Sequence, residues 1–438
     1  MTTDGKGVPT GKSPPLRIAF LTPEFTTEKK FDGGLANYLN RVGRALVVRG
    51  HRVEVFVISD REESFDHGGM LVHRVASTWA WPWRVGHCLA EKLTRRGWSM
   101  TADAYRGARA LARAFKQRHR QQPFDVVQSS DFMATGLCLP KTLGLPHVVR
   151  LSLFSPWWRQ ASGSQATRDR LRREWMELRA IRKADFRYAP SNWISSAVHR
   201  ALGLAIDVLH PPAFLELDEA QEDSAVYDEH LTGKEYVLFF GRVCRLKGVY
   251  ALAQAIGPLL QENPRLWLVM VGREDPSGIV AELREILAAG KERLIHLPRL
   301  GHDALYPIIR RAALVALPSL ADNFPNTCIE AMGLGKVVVA TRETGFDDLI
   351  QDGCNGFLAP ANDPDSLRTA IQRVLKLDPN RVREMGDAAR QSLHAFHPDR
   401  AVNNLVEYYD RCIRDYRAGQ RSIQKREHAT GLRREGQP

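Results

Sequence analysis

Tyr236-Val-Leu-Phe-Phe-Gly-Arg-Val-Cys-Arg-Leu-Lys-Gly248 is the stretch whose reading decides the fold. The apolar run from Tyr236 to Phe240 is short, aromatic-rich and uninterrupted, as a strand buried on both faces should be. A glycine ends the run, and a loop bearing Arg242 and Lys247 leads into a helix. Glycine lets backbone approach a ligand, and two cations beside a helix N-terminus suit an anion such as a diphosphate. Surface Arg and Lys at an ordinary turn are the plain alternative for this string taken alone.

The same strand-loop-helix beat runs outward from there. Downstream, apolar strands are expected at Leu266–Val271, Leu294–Leu297, Leu314–Leu317 and Val337–Ala340, each followed by a helical segment. Upstream, Arg17–Thr22 is a strand, a glycine-containing loop follows, and Leu35–Arg49 has apolar residues at helical spacing with Gly50 as a stop. His51–Ser59, Leu71–Val75, Phe124–Gln128 and His147–Leu151 continue the series. Alternation of near-continuous apolar strands with amphipathic helices implies parallel sheets covered on both faces. The break falls at Pro211-Pro212, followed by an acidic stretch around Glu216–Glu229. The fold class is therefore α/β, with two Rossmann-like doubly wound domains whose ligand sites lie at the carboxyl ends of their strands.

The expected division is a disordered segment 1–15, a domain 16–212, a linker 213–235 and a second domain 236–397. A helix 398–417 and a basic tail 418–438 complete it. Met1–Pro15 is polar and lacks an apolar h-region, so no signal peptide is expected, and no apolar run of about 18 residues suggests a membrane span.

Of 438 residues, 44% are hydrophobic and 26% charged, which excludes a disordered or fibrous chain. The formal charge is +12, much of it local. One basic group, Arg411–Arg434, lies in the tail. Another, Arg106, Arg109, Arg113, Lys116, Arg118 and Arg120, reads as one solvated helix face. Solubility explains both; contact with anionic lipid or an acidic acceptor is a second reading. No nucleic-acid-binding module accompanies the charge, so no nucleic-acid partner is expected. Six cysteines lie far apart with no C-x-x-C pair, a pattern of reduced thiols in a cytoplasmic protein.

Two further segments carry chemistry. Pro318-Ser-Leu-Ala-Asp-Asn-Phe-Pro-Asn-Thr-Cys-Ile-Glu-Ala-Met-Gly-Leu-Gly335 follows a strand, and its helix starts near Asn326 or Thr327. Asp322 sits on the loop, Glu330 about one turn into the helix, and free N–H groups at the helix start can bind hydroxyls or phosphates. The third segment is Ala340-Thr-Arg-Glu-Thr-Gly-Phe-Asp-Asp-Leu-Ile350 with Asp352-Gly-Cys-Asn-Gly-Phe357 after it. Thr344 and Gly345 form another loop able to offer N–H groups to a phosphate.

In this order and spacing the G-R-x4-K-G string, the P-S-x2-acid-x7-E-A-M-x-x-G string and the D-G-x-N-G-F-L ending closely resemble glycosyltransferase family 4, the retaining GT-B enzymes. The resemblance covers roughly Arg17–Tyr409. It implies two domains facing a central cleft, with a nucleoside diphosphate sugar as co-substrate, no cofactor and no metal. Arg242 and Lys247, with Gly241 in their loop, would clamp the diphosphate and stabilise the leaving nucleotide. Glu330 would accept from ribose hydroxyls. Asp322 would orient the donor sugar, with backbone N–H groups of Asn323, Phe324, Asn326 and Thr327 binding its other hydroxyls; Pro325, within this run, has no N–H to give. Arg299 would lie near the base, and Thr344 and Gly345 would add phosphate contacts. Phe31-Asp-Gly-Gly-Leu-Ala-Asn-Tyr38 resembles the family's Gly-Gly loop, in which Gly33 and Gly34 let the backbone lie close to donor phosphates or acceptor.

The chain departs from the family pattern at three points. Asp322 replaces a common Glu, one glycine stands at Thr344-Gly345 where many members have two, and Ser152 falls where many carry His after the strand near Leu151. His handles protons near neutrality, but in retaining transfer the departing phosphate can itself take the acceptor proton. Two aromatic clusters, Trp79-Ala-Trp-Pro-Trp83 and Pro156-Trp-Trp158, lie on the expected acceptor side, where sugar rings stack on aromatic faces; core packing under loops is the alternative. Asp363-Pro-Asp365 reads as an N-cap, not a metal-binding pair. The expected activity is retaining transfer of a sugar to a sugar, lipid-linked or other hydroxyl acceptor. Its setting would be polysaccharide, glycolipid or lipid-linked oligosaccharide assembly, cytoplasmic or peripheral on the cytosolic membrane face. A donor-binding homologue of weak or absent activity is the alternative. The last helix is expected to pack against the first half, so that the chain crosses between halves near Ala213 and near Pro398.

Overall fold

In the computed structural model the described residues are 14–28, 34–77, 97–215 and 222–429. Among them, eight strands form one sheet and six another. The first sheet comprises β1 (Arg17–Thr22), β2 (Arg52–Ser59), β3 (Glu63–His67), β4 (Met70–Ala76), β5 (Val126–Ser130), β6 (His147–Arg150), β7 (Phe186–Ala189) and β8 (Asp207–Val208). Their order is β3-β4-β2-β1-β5-β6-β7-β8, with β1 parallel to both β2 and β5. Only β3, at the edge, is antiparallel among the pairs with a described register; it folds back on β4 through Gly68 and Gly69, both at positive φ.

The second sheet comprises β9 (Glu235–Phe240), β10 (Leu266–Val271), β11 (Leu294–Leu297), β12 (Leu314–Leu317), β13 (Val338–Thr341) and β14 (Gly356–Ala359). Its order is β11-β10-β9-β12-β13-β14, all parallel. The strand order therefore reverses between β9 and β12, and a switch point of this kind opens a crevice at the carboxyl ends of the two strands. Every strand-end loop singled out in this half leaves from that same edge.

Packing divides the chain into two units. The first is Met1–Val149, Leu178–Phe186 and Val402–Pro438; the second is Arg150–Glu177 and Arg187–Ala401. The division falls at Arg150, well before Pro212, because segments after β6 are tied by hydrogen bonds to loops of the second sheet. The expected linker is partly structured: Ala213 is buried and donates its N–H to Phe396, and Ala225–His230 is helical. The last helix runs from Pro398 to Ala429, longer than expected, and from Val402 it belongs to the first unit. There Tyr409 donates its hydroxyl to Gln128 of β5 at 2.6 Å.

One expectation about charge is corrected. Arg118 does not share the solvated face of helix Ser99–Gln121; its guanidinium turns in to Glu54 at 2.8 Å. Glu54 also receives Arg17 at 2.8 Å and His73 at 2.9 Å. Burial alone would raise its pKa, but hydrogen bonds from His73 and Arg118 bring the carboxyl down to about 2.

Candidate functional site

The loop after β9 needs its glycines. Gly241 has φ +125° and donates its N–H to Val271. A side chain on Gly248, at φ +71°, would strike the Pro318 carbonyl. The two loops flanking the switch point are thus pressed together, and Leu320 donates its N–H to Leu246 at 2.8 Å. Lys247 then reaches Asp322, Nζ to Oδ2 2.5 Å, with both side chains mostly buried. Arg242 is held more loosely, 3.3 Å from Asp275, and its side chain is 41% exposed. An exposed pair of this kind is worth little.

The helix Asn326–Gly333 starts beside these loops. Pro325 is its N-cap and no side chain caps it; Cys328 donates its N–H to the Pro325 carbonyl at 3.1 Å, while the N–H groups of Asn326 and Thr327, at the helix start, have no intrahelical acceptor. Thr327 is the nearest neighbour that a side chain at Gly241 would meet. Phe324 faces the other way: it is buried against His210 and Phe396, with ring centroids 5.6 and 5.3 Å away. Only its backbone is left for a ligand. Cys328, one turn in, is fully buried; burial and the nearby Asp322 charge push its thiol up, keeping it protonated.

Glu330 lies 3.9 Å from His302, the first residue of helix His302–Arg311. The His302 ring stacks on Tyr306 at 5.1 Å. Sequence reasoning missed His302, although it stands three residues beyond Arg299, where the same strand-end loop enters its helix. Arg299 itself is exposed after β11.

Thr344 and Gly345 play a different part from the expected one. Thr344 is 1% exposed, its N–H bonds Asp347 at 2.8 Å, and its hydroxyl donates to Thr341 while accepting from Phe346. Gly345 donates its N–H to the Asp322 carbonyl at 2.8 Å, and a side chain there would strike Asn323. These donors are engaged within the protein, so the pair shapes the Asp322–Asn323 loop and offers no N–H to a phosphate in this arrangement. Burial raises the Asp347 carboxyl against the hydrogen bonds from Thr344.

Ser152 and Asn323 belong to the same unit and touch: the Asn323 amide donates to the Ser152 carbonyl. The Ser152 hydroxyl accepts from Arg150 at 2.8 Å. Asp348 accepts from the N–H of Asn192 at 2.8 Å and lies 2.9 Å from His210 Nε2. Gly34 opens helix Gly34–Val48 in the first unit and is exposed. Gly33, Trp79, Trp81 and Trp83 lie outside the described residues. Asp363 is the N-cap of helix Pro364–Leu375, accepting from the Ser366 N–H at 3.0 Å. Among the described residues no cluster of three His, Cys, Asp or Glu side chains has a metal-ligating arrangement. No described helix is long and apolar enough to cross a membrane.

Comparison with known proteins places this geometry. The profile described as glycosyl transferases group 1 matches residues 234–377, and that described as glycosyl transferase 4-like domain matches residues 33–212. The D-inositol 3-phosphate glycosyltransferase of Mycolicibacterium gilvum is 30% identical over 51% of this chain and 50% of its own. That of an Arthrobacter species is 27% identical over 88% of this chain and 91% of its own. The chain thus spans about half the length of the first of these relatives. In fold, sucrose-phosphate synthase from Thermosynechococcus elongatus has a TM-score of 0.71 at 20% identity, covering 90% of this chain and 98% of that one. Anabaena HepE in complex with UDP and glucose has a TM-score of 0.65 at 18% identity, covering 90% and 99%. With two doubly wound sheets, a cation-bearing loop and an acidic loop meeting at the switch point, and both profiles matched in order, the chain belongs to the glycosyl transferases group 1, family 4 of the GT-B glycosyltransferases.

Proposed function

We propose that this chain transfers a sugar from a nucleoside diphosphate sugar to a hydroxyl acceptor, with retention and without a metal. The observation that carries the reading is the Lys247–Asp322 contact at the switch point. It sets a cation and a carboxylate beside an uncapped helix start, which is where a diphosphate and a sugar would meet. Arg242 and Lys247 bind the diphosphate and take up charge as it leaves. Asp322 and the N–H groups of Asn323, Phe324, Asn326 and Thr327 hold the sugar, Glu330 the ribose, and Arg299 lies toward the base. The anomeric C–O bond to phosphate breaks, the acceptor oxygen bonds to the same face, and its proton passes to the departing phosphate. HepE's complex with UDP and glucose supports a uridine donor as the first to try.

The curated relatives' name makes an inositol phosphate one acceptor to test. Polysaccharide, glycolipid or lipid-linked oligosaccharide assembly is the proposed setting, on the cytosolic face of a membrane, with which the basic tail is compatible. A weakly active donor-binding homologue is the second reading, favoured by Ser152, whose hydroxyl is already engaged by Arg150.

Thermal shift with UDP-, GDP- and ADP-sugars, beside an Arg242→Ala, Lys247→Ala double variant, tests the donor site. Stabilisation by one nucleotide class that vanishes in the variant supports it; no shift with any donor overturns it. Anomeric NMR of the product decides retention, and unchanged turnover in EDTA supports metal independence. Co-sedimentation with vesicles that ignores their anionic lipid content would remove the membrane contact.

A further inference from the structure

We propose that Ser155, Trp158, Trp193 and Asn323 form a subsite for the hydroxylated ring of a neutral acceptor, a sugar or cyclic polyol. The inference rests on the transferase reading above and specifies its acceptor side.

Of the six buried side-chain polar atoms in the second unit without a hydrogen-bond partner among the described residues, two are the Nε atoms of Arg150 and Arg173 and four lie on neutral side chains: Ser155 Oγ, Trp158 Nε1, Trp193 Nε1 and Asn323 Oδ1. Ser155 is only 6% exposed. Leaving such a group unmade costs about 1–3 kcal/mol, and native proteins keep few of them. These four are not scattered. Ser155 and Trp158 are three residues apart on helix Ser155–Ser162 and so share a face. The Trp157 ring between them lies 6.1 Å from that of Trp158 and 5.8 Å from that of Trp193. The amide of Asn323 bonds the Ser152 carbonyl just ahead of this helix. Asn192, next to Trp193, is bonded to Asp348.

Both aromatic segments are therefore anchored to the loops that carry Asp322 and Gly345. Helix Ser155–Ser162 also packs against the Arg245–Lys247 turn, which sets the cluster beside the cation proposed to hold the leaving phosphate.

The chemistry of the cluster selects its ligand. Indole faces stack on the C–H face of a saturated ring, indole N–H groups donate to hydroxyls, the Asn323 oxygen accepts, and Ser155 does either. All four side chains are neutral. A ring bearing several hydroxyls satisfies them together, and the cations nearby are already engaged, Arg150 by the Ser152 hydroxyl at 2.8 Å and Arg200 over the Trp193 ring at 5.3 Å.

The test uses the full chain and saturation-transfer NMR with methyl α-D-glucopyranoside, methyl α-D-mannopyranoside and myo-inositol. UDP, GDP and ADP thermal shifts run in parallel. Trp158→Phe, Trp193→Phe and Ser155→Ala remove the unpartnered atoms while keeping most of the packing, so the melting temperature should not fall. At least one probe should give a signal in the unsubstituted protein, weakened about fivefold in Trp158→Phe and Ser155→Ala. No signal from any probe, or a signal that none of the three variants weakens, overturns the subsite. A weakened sugar signal without any nucleotide shift sustains the subsite and removes the donor reading instead.

Discussion

Lys247 Nζ stands 2.5 Å from Asp322 Oδ2, joining the loop after β9 to the loop after β12 where the strand order reverses. Two mostly buried charges in contact are each poorly placed without the other, because removing one leaves its partner desolvated and unpaired. The pair is thus both a structural tie and the proposed chemical centre.

The two roles separate in single variants. Lys247→Ala should abolish nucleotide-induced thermal stabilisation, since it removes a diphosphate contact. Asp322→Asn keeps the loop's shape and should retain that stabilisation while donor turnover falls about 100-fold, the scale set by losing one preorganised polar contact. Equal loss of both readouts in both variants would show that the pair acts only as a tie.

Backbone crowding gives a second test. Side chains at Gly248 and Gly345 would collide with the Pro318 and Asn323 carbonyls, whereas one at Gly34 meets nothing. Gly248→Ala and Gly345→Ala should each lose about 2 kcal/mol or more in urea unfolding. Gly34→Ala should be close to neutral. A neutral Gly345→Ala would mean that the Asp322–Asn323 loop does not rest on residue 345 as described.

Acid should weaken the first unit through Glu54. Its carboxyl is lowered from 4.5 to about 2 in the folded chain, so the folded state holds fewer protons than the unfolded state between those values. The stabilisation is complete above the unfolded pKa and is lost as pH falls from 4.5 to about 2. Its size is on the order of 3 kcal/mol, from 1.36 kcal/mol per unit. Glu54→Gln should be less stable at pH 7 and should flatten this part of the stability curve. Parallel acid limbs in the two proteins would assign the acid sensitivity elsewhere.

What could be read from the sequence follows from how local each signal is. Strands β9, β10 and β12 were legible because strands buried on both faces are continuous apolar runs. The loops bearing Lys247 and Asp322 were legible because glycine, cation and carboxylate recur at fixed offsets from those strands. By contrast, β3, Glu-Ser-Phe-Asp-His, is too polar to announce itself and exists by pairing with β4. Arg118 looked solvated because Glu54, its partner, lies 64 residues away. Thr344 and Gly345 looked available because their partners are set by the folded loop, which offset alone does not describe. The same distance hid Trp193, whose relation to Trp157 has no local signature.

Alkali should act in the opposite direction to acid, through Lys336. Its ammonium donates to the Ala312 carbonyl at 2.8 Å, yet burial lowers its pKa from 10.5 to about 8, with the charge of Arg310 adding to the fall. Between those values the unfolded chain holds a proton that the folded chain has released, so stability rises with pH across this window. Below about 8 the folded protein bears the full cost of the buried charge. That cost is on the order of 2 kcal/mol once partial solvent screening is allowed for. Lys336→Met exchanges the charge for a thioether of similar length and gives up one hydrogen bond. The variant should be at least as stable at pH 7 in urea unfolding, and its difference from the parent should shrink as pH is raised toward 10.5. A pH-independent difference would mean that Lys336 is well solvated, and that the Ala312 contact alone sets its contribution.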